Sequence, residues 1–589
     1  MATRRSARVI NRLKESEIIQ AIRANSTADD AEADLQSEEE DANDIASDDE
    51  SDADWEEGSD YSDYASEEIN TNPETFIGRD QTKWSSEPID GRRDPLNTSR
   101  YSRYRFNKVL LPPGKHLESV LDCFELIFDD KIIDIIVCHT NSEAKKHEKE
   151  WKDIDRVELK GYIGLLIAAG VERSSKRNYQ EFFGRMRGLP IFKATMALKR
   201  FGSILRYIRF DDKNTRSIRR LQDKFAPIRD VFNLIVHNLK KYYSPSENLT
   251  VDEQLVPFRG RCSFKQYIPS KPDKYGMKIF WLCDAKTAYP LNANMYLGRE
   301  RTGSARQTNI AQTVVSELCQ PYYRTGRNIT MDNFFTSHEL ALNLKSNGLT
   351  CVGTVRKNKT FIPREFLPNR QRPVGSNLFG FRQFGTLLSH VPKPNKAVLI
   401  LSTLHFNNET DAKGKSIINL FYNSTKGGVD TLDQLCHAYT VQRKTNRWPH
   451  AIFFNMINVV AVAAFVIHRN VSGRTEQPVG STRKRFLVNL TDQLVYHQIK
   501  RRSKIGLRSH NQLNIDLVLG KESSLQITKT GTKIQKSRKR CALCPPSKDR
   551  KVKQACLDCH CNVCNEHSVT IMKCRNCAKL PTLNESDSE

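Results

Sequence analysis

Between residues 29 and 68 the chain contains no lysine or arginine, against 20 aspartates and glutamates. Such a segment has almost nothing apolar to bury, which excludes a packed core there and predicts disorder. The first 24 residues lack an apolar run and carry Arg4, Arg5, Arg8, Arg12, Lys14 and Arg23, so no secretory leader is expected. Long apolar runs are nearly missing as well. The stretch 451–468 approaches membrane-spanning length, but Asn455 and Asn458 interrupt it and it stands alone. It reads as a buried helix, and no membrane association is expected. A disulfide framework is absent too: seven of the 15 cysteines lie singly, and eight crowd into 541–577. That distribution fits a reducing compartment and a metal-binding module.

What remains is strongly basic. The formal net charge is +23, and the 549 residues outside the acidic segment carry +43. A body of that charge attracts polyanions, and nucleic acid is the first expected partner. At 38% hydrophobic and 8% aromatic residues, the bulk of the chain is globular and long enough for several domains. Helical periodicity occurs over 116–138, 158–171 and 230–243, with Leu159, Tyr162 and Leu166 on one face. Short β-like runs follow at 248–258, 278–287, 291–297, 327–331 and 349–355, with helical stretches at 304–319 and 338–346. This order gives an α/β arrangement with sheet edges near residues 250 and 332. Helical pattern returns from 428 to about 469, after a Pro- and Asn-rich stretch.

Three aspartates stand out by placement. Asp252 interrupts an apolar run, where an uncompensated carboxylate costs several kcal/mol. Asp332 ends the strand Ile329-Thr330-Met331, and Asp430 follows Gly427-Gly428-Val429 at a helix start with Asp433 three residues on. Carboxylates at strand ends suit hard divalent cations such as Mg²⁺ or Mn²⁺. Two such ions about 4 Å apart can serve phosphodiester chemistry.

The strings LTVDEQLVPFRGRCSFKQYIPSKPDKYGMKIF (249–280), RNITMDNFFTS (327–337), VGTVRKNK (352–359), NSTKGGVDTLDQLC (423–436) and RKTNRWP (443–449) closely resemble piggyBac-family DNA transposases. The resemblance covers residues 100–577. It implies a multi-domain α+β chain with an RNase H-like catalytic core, an insertion domain, a helical dimerisation and DNA-binding domain, and a C-terminal cross-brace zinc finger. Carried over by position, Asp252, Asp332 and Asp430 form the DDD triad, and Asp433 is a further carboxylate around two Mg²⁺ or Mn²⁺ ions. The implied domains are a disordered acidic region (1–100), a helical first part (101–247), the catalytic core (248–356 and 416–440) and the insertion (357–415). A second helical part (441–520), a basic linker (521–540) and the cysteine-rich domain (541–577) complete them. The implied activity is cut-and-paste transposition. A nicked 3′ end forms a hairpin with the opposite strand, the hairpin is opened, and the 3′-OH joins to a TTAA target. A homodimer is implied because two terminal repeats must be held together. The alternative is a domesticated DNA-binding protein that no longer transposes.

Cations surround the implied core. Arg259, Arg261, Lys265, Lys271 and Lys274, interleaved with Tyr267 and Tyr275, suggest phosphate contacts. Arg356 and Lys359 follow a strand, and Arg443, Lys444 and Arg447 flank Trp448 as a further grip on the DNA backbone. The run Lys536, Ser537, Arg538, Lys539, Arg540 suits nuclear import or DNA contact, and the resemblance favours a nuclear protein. In the cysteine-rich end, Cys541, Cys544, Cys556, Cys559, Cys564, His567, Cys574 and Cys577 make four x2 pairs, enough for two Zn²⁺ sites. Spacing leaves sequential and interleaved pairing open. The resemblance favours interleaving, with Cys541, Cys544, Cys564 and His567 on one ion. His560 and Cys561 are additional candidate ligands.

Overall fold

The computed structural model describes residues 74–89, 108–298, 310–473, 479–520 and 538–568, apart from breaks at 176, 185–187, 270, 272, 504–506, 508 and 557–560. The chain divides into two compact units, one formed by 1–178 with 199–497 and one by 179–198 with 498–589. The acidic stretch 29–68 and the basic run 536–537 lie outside the described residues.

The strands of the first unit, in chain order, are β1 (Thr75–Ile77), β2 (Lys83–Ser85), β3 (Lys108–Val109), β4 (Tyr243–Ser244), β5 (Asn248–Pro257), β6 (Gln266–Tyr267) and β7 (Tyr275–Asp284). They continue with β8 (Pro290–Met295), β9 (Asn328–Met331), β10 (Thr350–Thr354), β11 (Asn377–Arg382), β12 (Gly385–Lys393) and β13 (Lys396–Ser402). β3 and β4 pair separately; the other eleven form one mixed sheet. At its centre β5 is antiparallel to β7 and parallel to β9, β7 is antiparallel to β8, and β9 is parallel to β10. A parallel neighbour needs a crossover, which the helix His338–Ser346 supplies between β9 and β10, capped by the Ser337 side chain on the Leu340 N–H. β7 is buried from Gly276 to Asp284, including Trp281, Leu282 and Cys283 at 0% exposure, as a strand covered on both faces must be.

Two stretches differ from the sequence reading. Residues 74–89 fall inside the region expected to be disordered, yet β1 and β2 form a hairpin that joins the sheet through Ser85 and Phe381. Trp84 is completely buried there and Phe76 nearly so, apolar payload that the acidic average of the first hundred residues conceals. Residues 357–415, expected as an insertion domain, contribute β11, β12 and β13 to the same sheet, with β13 antiparallel to β10.

Helices surround this sheet. Asp129 and Asp155 cap Asp130–His147 and Arg156–Val171 by accepting from the Ile132 and Glu158 N–H groups. The helix Trp448–Val471 is the apolar stretch, and 94% of its most apolar window is buried inside the protein. Its two asparagines are satisfied: Asn455 donates to Gln254 Oε1 (2.9 Å), and Asn458 accepts from the Val441 N–H (2.9 Å).

One buried charge cluster holds the helical part together. The Glu143 side chain is 2% exposed and faces Arg209 and Lys213, each 3.1 Å away. Burial alone would raise its pKa, but Arg209, Lys213 and His147 hold it below the ordinary range. A depressed carboxyl contributes stability above its unfolded pKa and loses it as pH falls through the folded value. Glu143→Gln should lower stability at neutral pH by about 3 kcal/mol, the low end for a broken buried pair, because Arg209 keeps backbone acceptors on Arg206 and Ile208. Urea titrations between neutral and acid pH should show the gap to the parent closing as the pH falls.

In the second unit, Phe182 stacks on Phe192 with ring centroids 4.7 Å apart, and Arg502 donates to the Lys193 and Ala194 carbonyls. This places 179–198 with the C-terminal part of the chain and not with the helices that precede it in sequence.

Candidate active site and cysteine cluster

The register of the sheet brings the first two aspartates together. Val251 on β5 pairs with Met331 on parallel β9, so Asp252 and Asp332 follow side by side. Two residues earlier on the same strand faces, Thr250 and Thr330 both reach Thr425. Thr250 Oγ1 donates to the Thr425 carbonyl (2.7 Å), and Thr330 Oγ1 meets Thr425 Oγ1 at 2.8 Å. Thr425 ends the helix Ile417–Thr425, and the helix Gly428–Ala438 begins three residues later with Asp430 in its first turn. Gly428 permits that approach: a Cβ there would lie 2.7 Å from Thr250 Oγ1. Three threonines and one glycine thus carry the third aspartate to the point where the pairing of β5 with β9 stops, beside the first two.

The electrostatics of Asp252 and Asp332 are those of carboxylates crowded together and partly withdrawn from water. Burial pushes the Asp252 carboxyl well above its ordinary range, and Glu253 and Asp332 push it further. Burial and Glu253 raise Asp332 to about 6, against the N–H groups of Phe334 and Phe335 and the Arg356 guanidinium. Asp430 is exposed. Tyr422 borders the group; burial raises its phenol, as do Asp332, Asp252 and Asp430. Glu253 was missed in the sequence because alternation along a strand assigns neighbouring residues to opposite faces. Its placement directly after Asp252 was the available signal.

Asp433 was expected beside the same ions; here it accepts from Gln254 Nε2 (2.8 Å) and sits 3.4 Å from His437 Nδ1. Burial opposes its ionised form, but His437 and Gln254 hold the carboxyl below its usual range. Gln254 also accepts from Trp281 Nε1 and Asn455, so the Asp433 helix, β5, β7 and the apolar helix share one polar node.

The expected DNA-contacting cations divide into three groups. Lys271 Nζ lies 3.5 Å from Glu253, and although burial lowers its pKa, Glu253, Asp252 and Asp430 raise it on balance. The Arg356 guanidinium lies 6.0 Å from the centroid of the Phe334 ring, and Lys359 is half-buried nearby in the chain. Arg259, Arg261, Lys274 and Lys444 are exposed, while Lys265 donates to the Gly260 carbonyl. Arg443 and Arg447 are engaged within the protein. Arg443 is 5% exposed and donates to the Ser174 carbonyl (2.7 Å); Arg447 donates to the carbonyls of Leu205 and Ile208. Trp448, directly after Arg447, is buried against Phe225 and Phe264. A guanidinium in this setting satisfies backbone acceptors, so these two arginines and the indole join segments of the protein; Arg443 is buried, and Arg447 stays partly exposed.

In the second unit, Cys541, Cys544, Cys564 and His567 offer ligand atoms all within 4.8 Å of one another. Cys544 Sγ and Cys564 Sγ are 3.7 Å apart, close to the roughly 3.8 Å of two sulfurs bound about 2.3 Å from a tetrahedral zinc. The Cys564 N–H points at Cys541 Sγ (3.3 Å), as suits a thiolate. The donor set therefore fits a Cys₃His zinc site. Cys556 is half-buried and Cys561 exposed; Cys559, His560, Cys574 and Cys577 lie outside the described residues.

Comparison with known proteins identifies the family of the chain. The model of the family described as Transposase IS4 matches residues 119–465. The human PiggyBac transposable element-derived protein 3 is 23% identical over 395 residues, 63% of this chain and 65% of that protein. The human PiggyBac transposable element-derived protein 2 is 24% identical over 371 residues, 60% of this chain and 62% of that protein. The chain thus spans less than two thirds of these curated relatives. Among solved structures, a piggyBac transposase in a synaptic complex with hairpin DNA superposes with a TM-score of 0.70 at 36% identity, over 80% of this chain and 100% of that one. The chain belongs to the Transposase IS4 family, as a member of its piggyBac type.

Proposed function

We propose that this chain is an active cut-and-paste DNA transposase. It binds the terminal repeats of its element as a homodimer in the nucleus, excises the element through hairpin intermediates and joins it to TTAA targets. The observation that carries this reading is the convergence of Asp252, Asp332 and Asp430 where the parallel pairing of two adjacent strands stops and one helix starts, with Asp252 and Asp332 crowded by Glu253. The strand order β8-β7-β5-β9-β10 supports an RNase H-like core, with the first two aspartates on its central parallel pair. The hairpin DNA bound by the structural neighbour supports the intermediate.

The donor set fits hard divalent cations, since carboxylates pushed so far toward the neutral form are relieved by a bound charge. Bound Mg²⁺ or Mn²⁺ supplies charge neutralisation to the phosphate and activation to the attacking hydroxyl. In this reading the aspartates hold the ions, and Lys271 and Arg356 flank the position of the scissile phosphate. Hydrolysis breaks one P–O bond and frees a 3′-OH; attack of that hydroxyl on the opposite strand forms a new P–O bond as another breaks. The cysteine cluster serves contact with the terminal repeats, with Lys548, Arg550, Lys551 and Lys553 around it. A second reading, a domesticated DNA-binding protein, is favoured by the names of the human relatives. Incubating the protein with Mg²⁺ and DNA bearing its element's ends separates the two. Hairpinned ends that vanish in Asp252→Ala support the transposase; binding without cleavage supports the other.

The β6–β7 hairpin adds an expectation about DNA contact. Tyr267 and Tyr275 pair across it with centroids 4.8 Å apart, 50% and 45% exposed, an unusual exposure for two neighbouring aromatics. Lys265 Nζ lies 5.8 Å from the Tyr275 ring. Rings open to solvent among cations suit unpaired bases. Tyr267→Ala should weaken binding to DNA with single-stranded overhangs by about 1–3 kcal/mol, and to blunt duplex less. Fluorescence anisotropy on the two probes measures the difference; equal losses would refute base stacking.

A further inference from the structure

The hairpin 75–85 takes three backbone carbonyls of one loop. After β10 the chain turns through 356–363, the loop that carries Arg356 and Lys359. Arg79 Nη2 donates to the Asn358 carbonyl (2.6 Å), the Asp80 N–H to the Thr360 carbonyl (3.3 Å), and Trp84 Nε1 to the Phe361 carbonyl (2.9 Å). The Asp80 carboxylate accepts from Thr360 Oγ1 (3.2 Å). Gly78 bridges to Pro363 and lies so close that a Cβ would stand 2.7 Å from the Phe361 oxygen. On the far side Phe361 packs against His338, at the start of the helix that follows Asp332.

Loops that carry functional cations are normally anchored by their flanking strands. This one is held by a segment nearly 280 residues earlier in sequence, through three carbonyls within four residues. Asn358, Thr360 and Phe361 would otherwise be solvated by water and free to move with the loop. The hold acts on a stretch whose first residue, Arg356, faces Asp332 and Phe334.

We propose that the hairpin 75–85 is a clamp that positions the 356–363 loop, so that Arg356 and Lys359 meet the DNA backbone beside the carboxylate group. Arg79, Asp80 and Trp84 are positioning residues; they act through the loop and touch neither DNA nor the aspartates. The inference deepens the transposase reading and rests on it for the identity of the substrate, but the clamp itself is a property of the fold.

Arg79 offers the cleanest test, because its contact lies at the surface and its loss leaves Trp84 buried. In the full-length protein, Arg79→Ala should speed amide hydrogen exchange across 356–363, and Arg79→Lys, which can still donate, should restore slow exchange. Cleavage of end-bearing DNA should fall on the order of tenfold, short of the hundredfold that a displacement of about 1 Å can cost. The same substitution in an Arg356→Ala/Lys359→Ala background should cost little more, since the residues being positioned are already gone. Unchanged exchange in Arg79→Ala overturns the clamp, as does an equal loss of cleavage in both backgrounds, which would mark a general effect on the fold. If the parent protein cleaves no DNA, the transposase reading fails, and the exchange result with affinity for end-bearing DNA still decides the clamp.

Discussion

Replacing Asp332 by asparagine should raise the thermal stability of the metal-free protein and abolish DNA cleavage. The two effects have one cause. Burial and Glu253 raise the Asp332 carboxyl to about 6, so at neutral pH the folded chain holds an ionised group in a place that disfavours it. A carboxyl whose folded pKa lies above its unfolded value costs stability as pH rises past the unfolded value, and the full cost is present above the folded one. A shift of about two units from the ordinary range corresponds to at most about 3 kcal/mol, and partial solvent access and coupling to Asp252 make about 1–2 kcal/mol the expected gain. Asparagine keeps the size and removes the charge. It also removes a hard anionic ligand, and cleavage should drop by about 10³-fold or more, the scale of losing preorganised charge stabilisation. Scanning calorimetry with and without Mg²⁺ tests both: the parent should gain stability from the ion and Asp332→Asn should gain much less. A variant that loses cleavage and also loses stability without metal would show a structural aspartate. Stability traded for chemistry in this way is expected where a site must wait for a charged partner.

How much of this could be read from the chain alone depended on whether the signal was local. Asp252 and Asp332 were legible because each ends or interrupts an apolar run, and both follow the last pair of the parallel β5–β9 ladder. The helix Trp448–Val471 was legible as buried from Asn455 and Asn458, though their partners, Gln254 and Val441, lie far away or across a turn. The hairpin 75–85 was hidden by averaging: Phe76, Trp84 and two strands of three residues each carry no weight beside a long acidic neighbour. The internal contacts of Arg443 and Arg447 were hidden for a related reason. A basic run beside a tryptophan has the same composition at a DNA surface and in a buried joint, and only the carbonyls of Ser174, Leu205 and Ile208 show which one it is. Those carbonyls belong to segments more than two hundred residues away.

The cysteine module allows the other large prediction, because pairing and folding are tested together. Among the described residues its buried cluster consists of Cys541, Cys544 and Cys564, with Val552 packed against them. The strands around it, Lys539–Arg540 and Lys551–Val552, are two residues each. So small a core cannot hold this segment folded, and a structural zinc contributes about 10–16 kcal/mol in comparable peptides. Chelation should therefore unfold 538–568, seen as fast amide exchange and as proteolysis at Lys551 and Lys553, while the first unit keeps its melting transition. The geometry also orders the ligands. Cys544→Ser and Cys564→Ser should each release the same ion, and the double variant should be no worse than either alone. Cys556→Ser should release a different one, taking total zinc from two per chain to one. Sequential pairing predicts the reverse grouping, with Cys544 and Cys556 equivalent and Cys564 apart. Metal analysis of the four proteins separates these outcomes, and binding to end-bearing DNA then shows whether the folded module is what grips the repeats.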